Sequence, residues 1–226
     1  MREEVINMSA AESGALKPHF VLVHGISGGS WCWYKVRCLM ENSGHRVSCI
    51  DLKGAGVDQS DSHTVLSFDD YNKPLMDFMS SLPESEQVIL VGHSAGGLSV
   101  TQATIKFAKK IRLAVYIAAT MLKLGFWTDE DIKQDSTLAS MLLRPGPILA
   151  LQSARFTEDH DIEKVPRVYI RTLHDRVIKP DQQHAMIKRW RPSDVYDMDT
   201  DHSPFFSNPF LLSGLLVKAA ASFGCV

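Results

Sequence analysis

The chain of 226 residues is 45% hydrophobic and carries a formal net charge of −2, so it can bury the core of one α/β domain. This weak charge excludes the basic surface that attracts nucleic acids or anionic membranes, and the expected partner is a small-molecule substrate. The four cysteines, Cys32, Cys38, Cys49 and Cys225, have no metal-ligand spacing and are too few for a disulfide scaffold, which favours a reduced, cytoplasmic protein.

The N-terminal stretch, residues 1–18, is predicted to be a flexible leader. It carries charges of both signs and lacks the apolar segment of a signal peptide or membrane anchor. No later stretch is long and apolar enough to span a bilayer. We therefore expect one domain over residues 19–226 and no contact with a membrane.

Strands and helices alternate along this domain. Apolar runs predict strands at His19–Val23, Arg46–Ile50, Val88–Val91, Leu113–Ala118, Pro166–Thr172 and Val195–Met198. Helical spacing of apolar residues predicts helices at Trp31–Asn42, Phe68–Leu82, Leu98–Phe107, Gln182–Trp190 and Asn208–Ala221. The alternation predicts an α/β fold with a mostly parallel, doubly wound sheet, helices on both faces, and functional groups at the carboxyl ends of the strands.

Two segments interrupt the regular pattern. Ser67 is a candidate N-cap for the second helix, and Pro74 is expected to kink that helix or to mark a later start. Residues 120–164 break the alternation and include a predicted helix at Thr137–Leu143 and an apolar piece at Ile148–Leu151. An insertion at this place is predicted to be a short cap over the site.

The third strand runs directly into Gly92-His93-Ser94-Ala95-Gly96, a Gly-x-Ser-x-Gly sequence followed by helix-forming residues. A sharp turn between strand and helix holds a serine in a strained conformation, and glycines two positions away on each side let strand and helix pass closely. Ser94 is therefore the candidate nucleophile. The alternative is a glycine-rich turn with an ordinary serine.

A serine hydroxyl needs a base, and in this arrangement the acid and then the histidine follow the serine along the chain. His202 comes shortly after the last predicted strand, and Asp175 comes just after the strand before it. Asp175 would orient the imidazole. Asp199 and Asp201 are alternative acids, although loop turns also account for carboxylates at these positions.

Two backbone N–H groups are candidates for binding the oxyanion of acyl transfer. One belongs to Ala95, directly after the nucleophile, and the other to Ile26, in the loop after the first strand. Close packing is an alternative reason for the glycines of that loop.

The sequence from His19 to the C-terminus resembles the plant methylesterase branch of the α/β hydrolases, which also contains α-hydroxynitrile lyases. The resemblance is carried by Phe20–Gly25, Trp31–Lys35, Cys49–Leu52, Gly92–Gly97 and Asp201–Ser203. It implies an α/β-hydrolase fold and hydrolysis of a small carboxylate methyl ester through an acyl-serine intermediate, with no metal or cofactor. Ser94 would attack, His202 would shuttle the proton and Asp175 would orient it.

Within the family, the subgroup that cleaves methyl indole-3-acetate is the most similar. The segments Met121–Lys123, Leu142–Pro145 and Asp201–Phe206 carry this resemblance, which implies substrate-binding roles for Ile26 and Met121. Family members usually have a longer cap, and they often have a Cys-His pair where Ser27-Gly28 stands here. We expect retained chemistry on simple esters, with weaker affinity or broader substrate choice.

Three other interpretations remain open. A hydroxynitrile lyase typically has a lysine after the histidine and a threonine after the first strand, where this chain has Ser203 and Ile26. A hydrolase-fold hormone receptor, or a catalytically repurposed protein, is the alternative from another class. The resemblance also leaves a homodimer possible, with the last helix as one candidate interface.

Overall fold

The computed structural model describes residues 17–125, 146–157 and 160–225. The predicted leader lies outside these residues except for Lys17 and Pro18, and the helix predicted at Thr137–Leu143 lies wholly outside them. No helix among the described residues is long and apolar enough to cross a membrane.

The described residues form one parallel sheet of six strands, which confirms the predicted α/β-hydrolase architecture. The strands are β1 (His19–Val23), β2 (Arg46–Ile50), β3 (Val88–His93), β4 (Ile111–Ile117), β5 (Arg167–Thr172) and β6 (Asp194–Met198). Their order in the sheet is β2-β1-β3-β4-β5-β6. Because all neighbours pair in parallel, the carboxyl ends of the strands lie along one edge.

The helices cover both faces of the sheet. They are α1 (Tyr34–Asn42), α2 (Phe68–Ser81), α3 (Gly96–Phe107), α4 (Ile148–Gln152), α5 (Pro180–Arg189), α6 (Pro204–Ser207) and α7 (Pro209–Ser222). The helix predicted from Trp31 begins instead with a 3-10 turn, Ser30–Trp33, and the short helix α6 was not predicted.

Helix α2 begins at its predicted N-cap and continues through Pro74. The side chain of Ser67 accepts a hydrogen bond from the N–H of Asp70, at 3.2 Å, so the predicted N-cap is confirmed. Pro74 lies inside the helix, and a later start is therefore wrong.

The core consists of two apolar layers, one on each face of the sheet. Side chains of a strand point alternately to the two faces, so Val115 packs in one layer and Tyr116 in the other. Burial on both faces explains why β1, β3 and β4 read as nearly continuous apolar runs. The site is therefore placed on a rigid sheet edge.

Candidate active site

Ser94 lies in the sharp turn between β3 and α3. Its φ is +53°, in the left-handed region that side chains other than glycine rarely adopt. The N–H of Ser94 donates to the carbonyl of Ile117 at 3.2 Å, and its own carbonyl accepts from the N–H groups of Gly97 (3.0 Å) and Thr120 (2.9 Å). The end of β4 and the residues after it thus hold the strained turn in place.

The glycines around the serine permit close approaches of backbone. A Cβ added at Gly92 would lie 2.6 Å from Cγ2 of Val100, and one added at Gly96 would lie 2.5 Å from the carbonyl oxygen of His24. These distances support the predicted role of the two glycines. A third glycine, Gly97, was not singled out from the sequence, and a Cβ there would lie 2.3 Å from the carbonyl oxygen of Thr120.

Replacing Gly97 with alanine is expected to lower both stability and activity. The new methyl group would push away the Thr120 backbone that holds the Ser94 carbonyl, and overpacking of this kind costs about 1–3 kcal/mol. Urea unfolding and ester turnover measure the two effects. The matched control is Gly214→Ala in α7, where a Cβ meets nothing within 4 Å and stability should rise by about 0.5–1 kcal/mol. Equal stability of the two variants would contradict the steric argument.

Asp175 and His202 meet beyond the ends of β5 and β6. Nδ1 of His202 and Oδ2 of Asp175 are 2.8 Å apart, and the Asp175 side chain is fully buried. Only Nδ1–H can donate to the carboxylate, so Nε2 of His202 remains to accept a proton. The structure therefore brings together the predicted acid and base.

Five donors fix the orientation of the Asp175 carboxylate. Oδ1 accepts from the N–H groups of Val177 (2.7 Å) and Ile178 (2.9 Å), while Oδ2 accepts from His202, from Oγ1 of Thr172 (3.0 Å) and from Nε2 of Gln183 (3.2 Å). Gln183 is fully buried in α5 and was missed in the sequence. The available signal was a polar residue three positions before Met186, on the buried face of that helix.

The two alternative acids point elsewhere. Asp199 pairs with His174, and its side chain is exposed. Oδ1 of Asp201 accepts hydrogen bonds from the N–H of Ser203 and from Oγ of Ser207, both at 3.0 Å. Asp201 therefore acts as a loop-turn acceptor, whereas Asp199 pairs with a histidine other than His202.

Ser94 and His202 are linked through His93, the last residue of β3. Nε2 of His93 lies 2.7 Å from the carbonyl oxygen of His202, and the two imidazole rings are 4.6 Å apart between centroids. Among the described residues no hydrogen bond joins Oγ of Ser94 to Nε2 of His202. Hydrogen bonds between catalytic groups are often long or poorly aligned without substrate and shorten when substrate binds. The absence of this bond is therefore compatible with Ser94 as nucleophile and His202 as base.

The loop after β1 lies directly against the nucleophile. A Cβ added at Gly25 would be 2.8 Å from Cβ of Ser94. His24 anchors this loop, because its Nδ1 donates to the carbonyl of Gly25 (2.6 Å) and its Nε2 accepts from the N–H of Leu52 (3.1 Å). The backbone N–H groups of Ile26 and Ala95 donate to no other residue in the described part of the chain. Both are therefore available as the predicted oxyanion donors.

The two predicted substrate-binding side chains have different surroundings. Ile26 is half-buried, and a Cβ on Gly146 would lie 2.4 Å from its Cγ1, so the chain returns against this loop after residues 126–145. Met121 is fully buried in the core, and its N–H points to Sδ of Met186 at 3.4 Å. Contact between Met121 and a substrate stays a prediction.

His24 and His93 predict a pH-dependent stability. Burial is the main cause that lowers the pKa of His24, and it lowers the pKa of His93 well below the ordinary value of 6.5, with a further contribution from the charge of His202. Both are neutral in the folded protein and gain protons in the unfolded chain near pH 6.5. Stability is therefore fully present above pH 6.5 and is lost as the pH falls toward the folded-state pKa values.

We expect the free energy of unfolding to fall by about 1–2 kcal/mol per pH unit below pH 6. Urea titrations between pH 7.5 and pH 5 measure this slope. His184→Gln, on the exposed side of α5, is a control that should leave the slope unchanged. A flat profile across this range would contradict the expectation.

No group of three or more histidine, cysteine, aspartate or glutamate side chains within residues 17–125, 146–157 and 160–225 is arranged to hold a metal ion.

Comparison with known proteins places these observations in a wider context. Residues 18–147 match the family model described as the alpha/beta hydrolase fold. The chain is 51% identical to Methylesterase 17 of Arabidopsis thaliana, over 92% of this chain and 94% of the relative. It is 38% identical to Pheophorbidase of Raphanus sativus, over 90% and 94% of the two chains. The crystal structure of the methylesterase MES16 from Arabidopsis superposes with a TM-score of 0.81 at 40% identity, covering 90% of this chain and 99% of the other.

The alignment with Methylesterase 17 also bears on the predicted short cap. It runs over 258 positions, more than the 226 residues of the whole chain, so some of its positions have no residue here. The relative thus has residues without a counterpart in this chain, and a shortened cap at residues 120–164 stays a prediction.

Proposed function

The chain belongs to the plant methylesterase family of the α/β hydrolases, and from this membership we propose that it hydrolyses carboxylate methyl esters through an acyl-serine intermediate. Its relatives are named as methylesterases, and the chain is accordingly a carboxylic ester hydrolase. Ser94 is the proposed nucleophile, His202 the general base and acid, and Asp175 the residue that orients His202.

The observation that carries this proposal is the buried Asp175–His202 pair beside the Ser94 turn. In the first half-reaction, Oγ of Ser94 attacks the ester carbonyl carbon while its proton passes to Nε2 of His202. The negative charge on the former carbonyl oxygen is then held by the N–H groups of Ile26 and Ala95. Collapse of this intermediate breaks the bond between the carbonyl carbon and the methoxy oxygen, which takes the proton from His202 and leaves as methanol.

In the second half-reaction water replaces the alcohol. His202 removes a proton from the water as the water oxygen attacks the acyl carbon. The bond between this carbon and Oγ of Ser94 then breaks, and Oγ takes the proton from His202. The products are the free acid and the restored serine. All proton transfers use one imidazole nitrogen, because the other stays bound to Asp175.

We propose methyl indole-3-acetate as the substrate, with related plant hormone methyl esters as alternatives. The similarity of Met121–Lys123 and Asp201–Phe206 to the corresponding subgroup supports this choice, with Ile26 and Met121 as pocket residues. Family membership alone leaves the substrate open, since relatives carry names as different as Pheophorbidase and pFDCC methylesterase MES16. Because the chain is shorter than its relative, we expect it to cover less of the ligand. The binding free energy should then be less favourable by about 25 cal/mol for each Å² of apolar ligand surface left uncovered.

A panel of esters tests the proposal. Methyl indole-3-acetate, methyl jasmonate, methyl salicylate and a chromogenic acetate are incubated with the wild type and with Ser94→Ala, and release of free acid is measured. Turnover of a methyl ester that vanishes in the variant supports the proposal. Cleavage of the acetate alone would refute the assigned substrate class. Absence of all cleavage would favour a receptor-like binding role, and cyanohydrin cleavage would favour a lyase.

The cytoplasmic location and the homodimeric state stay predictions. Fractionation of plant cells and light scattering of the purified chain test them separately.

A further inference from the structure

We propose that His93 is a positioning residue, which ties the loop that carries His202 to the turn that carries Ser94. The inference rests on the proposed serine mechanism and extends it to a residue for which the Gly-x-Ser-x-Gly pattern requires no particular side chain. His93 is the last residue of β3, so its backbone leads directly into the nucleophile.

The contact runs from the His93 ring to the main chain of His202. A carbonyl oxygen can only accept, so Nε2–H of His93 is the donor of this 2.7 Å hydrogen bond, and the imidazole is the Nε2–H tautomer. The two rings also pack against each other at an interplanar angle of 53°, with 4.6 Å between centroids. One side chain therefore fixes both the backbone and the ring of the proposed base.

Other hydrogen bonds of the His202 loop lead away from the nucleophile. In the described part of the chain, residues 199–203 bond within the loop, to α6, or to groups at the end of β5 and β6, including Asp175. Asp175 sets the rotation of the His202 ring through Nδ1, the nitrogen that the proposed proton transfers do not use. The His93 bond is thus the one that fixes the distance between β3 and the loop, among the residues that the structure describes.

The surroundings of His93 suit a neutral ring. The His93 ring packs in T-shaped geometry against the rings of Phe205 and Trp33, with 4.8 Å and 6.3 Å between ring centroids, and the His93 side chain is almost fully buried. A cation at this place would oppose the imidazolium that forms on His202 during the reaction. A neutral histidine supplies the N–H donor without that repulsion.

Two substitutions separate the hydrogen bond from the packing. His93→Phe keeps a ring and removes the donor, which leaves the His202 carbonyl without its partner. His93→Gln replaces the ring with an amide N–H that reaches the same position. We expect kcat to fall between about 10-fold and about 100-fold in His93→Phe, with KM changed less than about 3-fold, and to stay within about 3-fold of wild type in His93→Gln.

A second readout does not depend on the identity of the substrate. A fluorophosphonate probe forms a bond between Oγ of Ser94 and phosphorus, expels fluoride, and passes the serine proton to His202, so its labelling rate reports how well the two residues are aligned. We expect labelling to slow by the same factor as kcat in His93→Phe and to recover in His93→Gln. Trp33→Phe, which alters packing against the same ring, is the control for general loosening, and thermal unfolding is measured for all variants.

Each outcome decides the inference. Slow labelling in His93→Phe with rescue by His93→Gln supports the inference. This result would support it even if the wild type cleaved none of the tested esters, so that the proposed function failed. Equal labelling in all three proteins, loss in both His93 variants alike, or an equal loss in Trp33→Phe would overturn it. A wild type that is not labelled at all would overturn it as well, because Ser94 would then be no activated nucleophile.

Discussion

Replacing Ser94 with alanine is expected to lower kcat for ester hydrolysis by about 10⁴-fold or more. Alanine removes the only atom that attacks the carbonyl carbon in the proposed mechanism, while the oxyanion donors and the binding surface remain. The fold should tolerate the change, because Oγ of Ser94 has no hydrogen-bond partner among the described residues. We therefore expect the free energy of unfolding to change by less than about 1 kcal/mol. Steady-state kinetics and urea unfolding of the same preparations measure both quantities.

Ser99→Ala is the matched control for this experiment. Ser99 is a fully buried serine of α3, in the helix that follows the turn, and its hydroxyl also lacks a hydrogen-bond partner in the described part of the chain. Its removal should leave kcat and KM within about 2-fold of wild type, as is usual where no interaction is lost. Residual methyl ester hydrolysis in Ser94→Ala above about one hundredth of the wild-type rate would contradict the assignment of the nucleophile.

Replacing Asp175 with asparagine is expected to lower kcat by about 10⁴-fold, because the amide neither holds His202 in the Nδ1–H tautomer nor balances its positive charge. This variant also tests the buried network. All five partners of the carboxylate are donors, so an asparagine NH₂ group must face at least one of them. We expect a loss of about 1–3 kcal/mol in the free energy of unfolding. The combination of kinetic and stability losses distinguishes a buried orienting acid from a surface carboxylate.

Asp199→Asn and Asp201→Asn are the controls for Asp175. Each removes the charge of a carboxylate that is closer to His202 in sequence but bonds to other groups in the structure. Their kcat values should stay within about 3-fold of wild type, as for other exposed positions. A loss in either that equals the loss in Asp175→Asn would mean that the base is oriented by a different acid. Rate measurements on the three variants with the same ester decide between the candidates.

Local pattern is sufficient to predict the nature and chain order of the main site residues. Ser94 is predicted as the nucleophile from the glycine spacing and from the strand and helix that flank it, and these are local properties of the backbone and of side-chain periodicity. Asp175 and His202 were predicted from their places after two successive strands. Because all strands of a parallel sheet end at one edge, positions far apart in the chain are brought together by the strand order alone.

Local pattern was less informative where the chain leaves regular structure. The 3-10 turn before α1, the short helix α6 and the continuous course of α2 through Pro74 all depend on packing that propensity does not describe. Met121 is fully buried in the described part of the chain, and its contact with a substrate stays a prediction. An apolar side chain after a strand end suits a core position and a pocket wall equally well, so the sequence does not choose between them.

The contacts that hold the acid and the base depend on tertiary packing. Gln183 reaches Asp175 from α5, and His93 reaches the backbone of His202 from β3. The sequence pattern can indicate that Gln183 is buried, but it predicts the partner of neither residue, since each contact joins residues on different elements through one side chain whose direction is set by the surrounding core. A buried amide and a buried imidazole must find hydrogen-bond partners, and the packing of strands and loops determines which partners lie within reach.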